Sequence, residues 1–529
     1  MRRLRFFNTT GPCNPTDHYM LPPANRLKGA QLHRYIRDKL FWVLHAPRQT
    51  GKTTFLQSWM REINSGDEAI ACYVSVERCQ GFGNASDSMP MIAEAVRAYA
   101  NRFDLPVPDM PETHSGNMLD LILSHWADLV EPKPLIVLFD EVDVLEGEAL
   151  ISFLRQLRGG FASRGIGTFP VSIAIVGMRD LKDYITTSIG GREPNPGSPF
   201  NIKADSAELF NFNREDITNL FAQRTAENGQ KIEPEALDYV YEQSKGQPWI
   251  VNSLFMRATM RILDEDSTET VTLAHVTEAR EQMITARETH LDALAERLKE
   301  PRIHGIIQLI LCGDTGASLD PTSPDVMLAM DLGLIKWDTD RGFTIANPVY
   351  EDILTRTLNS VYFVQVPPPS SWRWQTLDGR LDMDALMREF QDFWRNHADT
   401  WEQWTKYTEV FPHLLLMAFL QRVINSGGRI EREYATGRGR MDLAVEYKGE
   451  WNIIEIKLMR TNQTFERVKT EGLKQVTRYR ETFVPPVGQH KNITGVYLVI
   501  FDRRPEDIKL PWDERISWEQ EGDVTILGC

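Results

Sequence analysis

Cysteine is scarce in this sequence and never closely paired. The 529 residues hold five of them: Cys13, Cys72, Cys79, Cys312 and Cys529. The number is odd, the positions are scattered, and no C-x-x-C occurs, which excludes a disulfide framework and a cysteine zinc site. Long apolar runs are missing too. None follows the basic start "MRRLRFFNTT", where a signal peptide needs one, and none elsewhere is long enough to span a bilayer. A reducing, cytoplasmic setting is the expectation. An excess of positive charge is also lacking. The formal charge is −15, which disfavours unspecific adsorption to nucleic acid.

What is present is ordinary soluble composition, 42% apolar and 25% charged, in a chain too long for one core, so several domains are expected. Charge is uneven: residues 361–529 carry about −2 and the first 360 about −13. Within 457–480, Lys457, Arg460, Arg467, Lys469, Lys474, Arg478 and Arg480 outweigh Glu466 and Glu471. This stretch is either a solvated helix face, the commoner case, or a phosphate-binding patch.

"LFWVLHAPRQTGKTTFLQSWM" (40–60) reads as an apolar strand, a loop and an amphipathic helix. The loop fits G-x-x-x-x-G-K-[ST] at Gly51, Lys52 and Thr53, with Ala46 in place of the first glycine. Such a loop cradles phosphate on backbone amides from Gln49 to Thr54, Thr50 among them. Lys52 neutralises the β/γ charge and Thr53 ligates Mg²⁺. "PKPLIVLFDEVDVL" (132–145) reads as a central parallel strand ending in Asp140, beside Mg²⁺, and Glu141, which polarises the attacking water. In "VSIAIVGMRD" (171–180), Arg179 has two readings, one at the γ-phosphate edge and one as a partner of Asp180. "YEQSKGQPWIVNSLF" (241–255) places Gly246-Gln247-Pro248 in a helical region.

Together these motifs resemble the STAND-type AAA-like P-loop ATPases over roughly residues 10–290. The resemblance implies bound ATP and a nucleotide contact at Pro248. "TDHYMLPPANRL" (16–27) resembles the segment that packs on adenine, with Tyr19 and Pro22 as contacts. No arginine is assigned as a finger toward a neighbouring subunit; Arg192 is one candidate. Oligomers go with this class. Residues 296–360 read as helix, turn, two short strands and helix, a winged-helix pattern without a basic recognition helix, so packing on the lid is favoured over DNA binding.

After the proline-rich "VPPPSSWRW" (366–374) comes a stretch with Trp372, Trp374, Trp394, Trp401 and Trp404, read as core or domain-contact residues, and then an apolar helix (407–424) that carries Glu409. "GGRIEREYATGRGRMDLAVEY" (427–447) reads as strand, turn and strand with Asp442. In "NIIEIKL" (452–458) the period-two rule puts Ile454, Ile456 and Leu458 on one face and Ile453, Glu455 and Lys457 on the other. A helix over 471–483 sets Gln475 one turn before Tyr479. Asp442, Glu455-x-Lys457 and Gln475-x-x-x-Tyr479 resemble the PD-(D/E)XK nucleases of the RecB-like branch, with Met441 in place of the usual proline-like residue.

That resemblance implies Mg²⁺ (or Mn²⁺) on Asp442 and Glu455, with Glu409 from the first helix, and Lys457 at the attacking water. The bland reading of Glu455 and Lys457 is an exposed cross-strand ion pair.

The expected architecture is α/β multidomain. A P-loop core (1–225), helical lid (226–295), winged-helix unit (296–365) and linker (366–390) precede a restriction-endonuclease-like α/β domain (391–529). The expected function is an ATP-controlled, Mg²⁺-dependent nuclease on nucleic acid, DNA ahead of RNA, of the kind found in prokaryotic defence or mobile elements. The rivals are a signalling ATPase with an inactive nuclease-like binding module and, less favoured, an ATP-driven translocase.

Overall fold

The computed structural model of the chain describes residues 4–28, 32–112, 117–164, 166–178, 203–286, 289–311, 319–339, 342–363, 374, 376, 378–396, 415–417, 419–420, 428–436, 439–459, 463–485, 491–502, 504 and 512–529. It divides into two compact units: residues 1–306 with 316–351, and residues 307–315 with 352–529. Each is α/β. Among the described residues, no helix is long and apolar enough to cross a membrane.

The first unit is built on strands β1 (Leu27–Lys28), β2 (Phe41–His45), β3 (Ile70–Ser75), β4 (Leu135–Asp140), β5 (Ser172–Gly177) and β6 (Lys203–Leu209), in the order β1-β6-β2-β5-β4-β3. Five run parallel, and only β1 is antiparallel, against β6. Strands β4 and β5 are buried throughout because helices cover both faces, which explains their continuous apolar sequence. Helices α1 (Leu32–Arg37) and α2 (Lys52–Ser65) flank β2. On the opposite face α3 (Ala85–Arg102), α4 (Met118–Leu129) and α5 (Gly147–Ser163) close a core around Trp126, Phe139 and Phe153.

Beyond β6 come α6 (Arg214–Asn228), α7 (Pro234–Ser244), α8 (Pro248–Met256), α9 (Leu273–Thr285) and α10 (Thr289–Arg297). After α11 (Pro301–Leu311), α12 (Pro324–Asp331) leads into the hairpin β7 (Ile335–Asp338) and β8 (Gly342–Ile345), followed by α13 (Pro348–Phe363). This is the helix, hairpin, helix order read from 296–360.

In the second unit, α14 (Met383–Asn396) buries Met383, Leu386, Met387 and Phe390. Residues 383–390, expected in the linker, are therefore the first half of a core helix. The sheet comprises β9 (Gly428–Thr436), β10 (Gly439–Tyr447), β11 (Glu450–Met459), β12 (Ile493–Asp502), β13 (Ser517–Glu521) and β14 (Val524–Gly528), in the order β13-β14-β12-β11-β10-β9. The β9–β10–β11 meander is antiparallel, whereas β11–β12 and β12–β14 are parallel. One face packs Ile454, Ile456, Val499 and Phe501 against α14, Trp374 and the residues Leu415, Leu416, Met417, Phe419 and Leu420. The other packs Ile453, Leu498 and Ile500 under α15 (Phe465–Thr482), through Val468, Val476 and Tyr479. The alternation of 452–458 thus divides two cores.

Candidate active sites

In the first unit the phosphate loop joins β2 to α2. Two residues adopt left-handed backbone, Gln49 at φ 62° and Gly51 at φ 91°. For Gly51 there is also no room: a Cβ would stand 2.9 Å from Arg26 Nη2. Lys52 is buried, and its ammonium donates to Ala46 O at 2.7 Å and Pro47 O at 3.0 Å. Burial pulls its pKa down, against Asp140, Asp143 and Glu141. Thr53 Oγ1 donates to Asp140 Oδ2 at 2.7 Å, which brings the hydroxyl and the carboxylate together although β5 separates their strands.

Asp140 is fully buried. It also accepts from Tyr73 Oη at 3.2 Å and the Glu141 amide at 3.0 Å. Burial raises its pKa, and these donors with Lys52 hold it down. Glu141 sits at φ 60°, and burial, reinforced by Asp140 and Asp143, pushes its carboxyl up to about 7. A carboxyl poised there suits a base acting near neutral pH.

The other loop residues have definite places. Thr50 is buried, with its hydroxyl on Pro47 O at 2.8 Å. Thr54 Oγ1 accepts from the Cys13 amide at 3.0 Å. Pro248 opens α8, and the preceding Gln247 caps that helix on Ile250 N while its Nε2 reaches Gln49 O at 3.3 Å. Pro22 is exposed ahead of a 3₁₀ turn. Tyr19 is 1% exposed, its ring 4.9 Å from Phe7 in a cluster with Phe221 and Phe255, so its face is committed to aromatic packing. Arg179 and Arg192 lie outside the described residues. From sequence, Gln247 is named only as part of the Gly246-Gln247-Pro248 turn, and Tyr73 and Arg26 have no role. Gln247 adjoins Pro248, and Arg26 lies inside the quoted 16–27 segment. Nothing in the sequence marks Tyr73.

In the second unit the antiparallel register of β10 and β11 ends at the pair Leu443–Ile454, with Asp442 and Glu455 the next residues on each strand. There the backbone ladder gives way: the Ile456 amide donates to Asp442 Oδ2 at 2.7 Å. Glu455 is 2% exposed. Its Oε1 accepts from Lys457 Nζ at 2.7 Å, and its Oε2 is buried without a partner. Burial and Asp442 drive its pKa upward, against the pull of Lys457. Burial opposes the Lys457 charge, yet Glu455 and Asp442 outweigh it and raise its pKa.

Tyr479 on α15 is buried in the same field. Its pKa is raised by burial, then by Glu455 and Asp442. Asp442, Glu455, Lys457 and Tyr479 are thus brought together. Gln475 is exposed one turn earlier, and Glu409 lies outside the described residues. The basic excess of 457–480 is partly countered from outside, where Lys469 pairs with Glu519 at 2.5 Å and Arg480 with Asp523 at 2.7 Å, while Arg467 pairs with Glu471 inside the stretch at 3.2 Å.

An orphaned, buried carboxylate oxygen beside a second carboxylate fits a hard divalent cation, which takes oxygen ligands. Among the described residues, no group of three His, Cys, Asp or Glu side chains converges. The donor set described is therefore two carboxylates.

Residues 407–503 match the model of the PD-(D/E)XK nuclease superfamily, a span that contains Asp442, Glu455, Lys457, Gln475 and Tyr479. Among solved structures the chain is similar to the Walker-type ATPase of Pyrococcus abyssi, at 14% identity and TM-score 0.48, over 66% of this chain and 99% of that one. It is also similar to the Thermotoga maritima RuvB Holliday junction branch migration motor, at 14% identity and TM-score 0.33, over 61% and 90%. A third is Cdc6p from Pyrobaculum aerophilum, at 13% identity and TM-score 0.36, over 62% and 91%. A comparison with curated proteins returns no match.

Proposed function

We propose that the chain is a nuclease under the control of ATP, cutting DNA with Mg²⁺ or Mn²⁺ in the second unit and binding and hydrolysing ATP in the first. The observation that carries the reading is the convergence of Asp442, Glu455 and Lys457, with one Glu455 oxygen buried and unclaimed. A cation bound there would polarise the phosphodiester and lower the pKa of a bound water. Asp442 is oriented for this by the Ile456 amide, which donates to its Oδ2. Lys457, partly exposed beyond Glu455, supplies a fixed positive charge where charge develops on phosphorus. Tyr479, on α15, stands in the field of the same three side chains.

In the first unit Lys52 is the cation for the β/γ phosphates, Thr53 and Asp140 the magnesium pair, and Glu141 the base. Pro22 remains the proposed flank of the base, which Tyr19, buried against Phe7, does not join, and Arg179 the proposed γ-phosphate contact. Glu409 and Gln475 remain proposed members of the nuclease site.

The test is cleavage of plasmid and linear DNA, with RNA alongside, in Mg²⁺ or Mn²⁺ with and without ATP. The parent is compared with Asp442→Ala and Lys457→Ala. Lys457→Ala is expected to cut about 10²–10³-fold more slowly and Asp442→Ala not at all. Equal cutting by parent and variants would remove the assigned site. An inert parent that still hydrolyses ATP would favour the rival, for which the 2.7 Å Glu455–Lys457 ion pair is the observation in hand.

A further inference from the structure

The phosphate loop is braced from behind by two side chains that are not part of it. A peptide unit is planar and trans, so an amide points at an anion only when the carbonyl of the same plane points away. Two successive carbonyls are held in that way. Gln247 Nε2 donates to Gln49 O at 3.3 Å, and Arg26 Nη1 donates to Thr50 O at 2.8 Å. The amides thereby aimed are those of Thr50 and Gly51.

Arg26 does more than Gln247. The same nitrogen donates to Phe210 O at 3.0 Å, and the guanidinium lies 4.9 Å from the centre of the Phe212 ring. Its other terminal nitrogen fills the place where Gly51 lacks a side chain. The Phe212 amide donates to Gly246 O at 2.8 Å, the residue before Gln247. A Cβ on Gly246 would lie 1.8 Å from Phe212 O, so that turn is tightly closed on Phe212.

Arg26 is 8% exposed and has no ion pair among the described residues. A buried guanidinium is costly unless paired; Asp216 acts on it only from beyond ion-pair distance, and a polyanion at the loop would add counter-charge.

We propose that Arg26 is a positioning residue for the nucleotide phosphates: its bond to Thr50 O sets the Thr50–Gly51 amide toward the polyanion, and its contacts with Phe210 and Phe212 tie that setting to the lid turn at Gly246–Gln247. The inference rests on the nucleotide-binding reading of the loop.

The experiment uses the full chain and measures binding of Mg²⁺–ATP and Mg²⁺–tripolyphosphate by calorimetry, together with ATP hydrolysis. Parent, Lys52→Ala, Arg26→Met and Arg26→Lys are compared. Arg26→Met is expected to weaken both ligands about tenfold or more and to raise KM far more than it lowers kcat, since Lys52, Thr53, Asp140 and Glu141 are untouched. Arg26→Lys is expected to fall between, because an ammonium can reach the carbonyls but lacks the planar group that lies by the Phe212 ring and the second terminal nitrogen beside Gly51.

Unchanged affinity in Arg26→Met, a fall in kcat without a change in KM, or a loss for ATP but not for tripolyphosphate would overturn the proposal. Should Arg26→Met fail to fold by circular dichroism, parent-like binding by Arg26→Lys overturns it. If Lys52→Ala binds ATP like the parent, the loop itself is misread, an outcome separate from any result at Arg26.

Discussion

Glu455 keeps one carboxylate oxygen dry and unpartnered, an arrangement that in an inert sheet would only cost stability. Its pKa is raised by burial and by Asp442, so the metal-free fold favours the protonated acid. The sign follows from linkage: the folded state holds a proton that the unfolded chain releases at lower pH. Stability of the metal-free protein therefore falls as pH rises from the ordinary carboxylate range toward the raised value. A divalent cation must displace that proton. Mn²⁺ binding, measured by electron paramagnetic resonance, is accordingly expected to tighten as pH rises across this window, and thermal stabilisation by Mn²⁺ to grow with it. Flat binding across the window would mean that Glu455 does not hold the ion. At the other site, Glu141 titrates near 7. Its kcat/KM for ATP is expected to climb through that pH, and Glu141→Gln to lower kcat by about 10²–10⁴-fold with ATP binding retained.

Helix α15 reaches its place over the sheet because Gly472 lets it. A Cβ there would lie 2.5 Å from a Leu498 methyl. Gly472→Ala should lift the helix and destabilise the unit by about 1–3 kcal/mol. A thermal midpoint unchanged by the substitution would contradict the packing. Tyr479 rides on the same helix two turns later, so cleavage should fall along with stability. Much of this geometry was legible in the sequence. The alternation of 452–458 told which side chains share a face, and the apolar runs ending at His45 and Asp140 told where a parallel sheet delivers its chemistry. What stayed hidden was contact across distance. No local pattern says that Tyr73 reaches Asp140, that Tyr19 is absorbed by Phe7 and Phe255, or that the acidic turn at 519–523 neutralises Lys469 and Arg480. Such pairings depend on strand order, and strand order is set by the competition of whole elements for partners.

The whole molecule joins two α/β units in one chain, and the chemistry proposed for each should be separable by a single change. Asp442→Ala is expected to hydrolyse ATP like the parent while cutting nothing. Lys52→Ala is expected to lose ATP binding and, with it, any effect of ATP on cleavage. Measuring both activities in both variants distinguishes control from mere cohabitation. If Lys52→Ala cuts DNA with the parent's dependence on ATP, the first unit does not govern the second.

Strand β14 sits inside its sheet, between β12 and β13, although its residues, Val524–Gly528, follow all the others there. A nascent chain emerging from the ribosome can assemble the β9–β12 portion, yet it shows an unclaimed β12 edge until those five residues arrive. Premature termination would thus leave a sticky, misassembled fragment in place of a shortened enzyme. The cleavage proposed for the second unit thus waits on the strand that locks its interior.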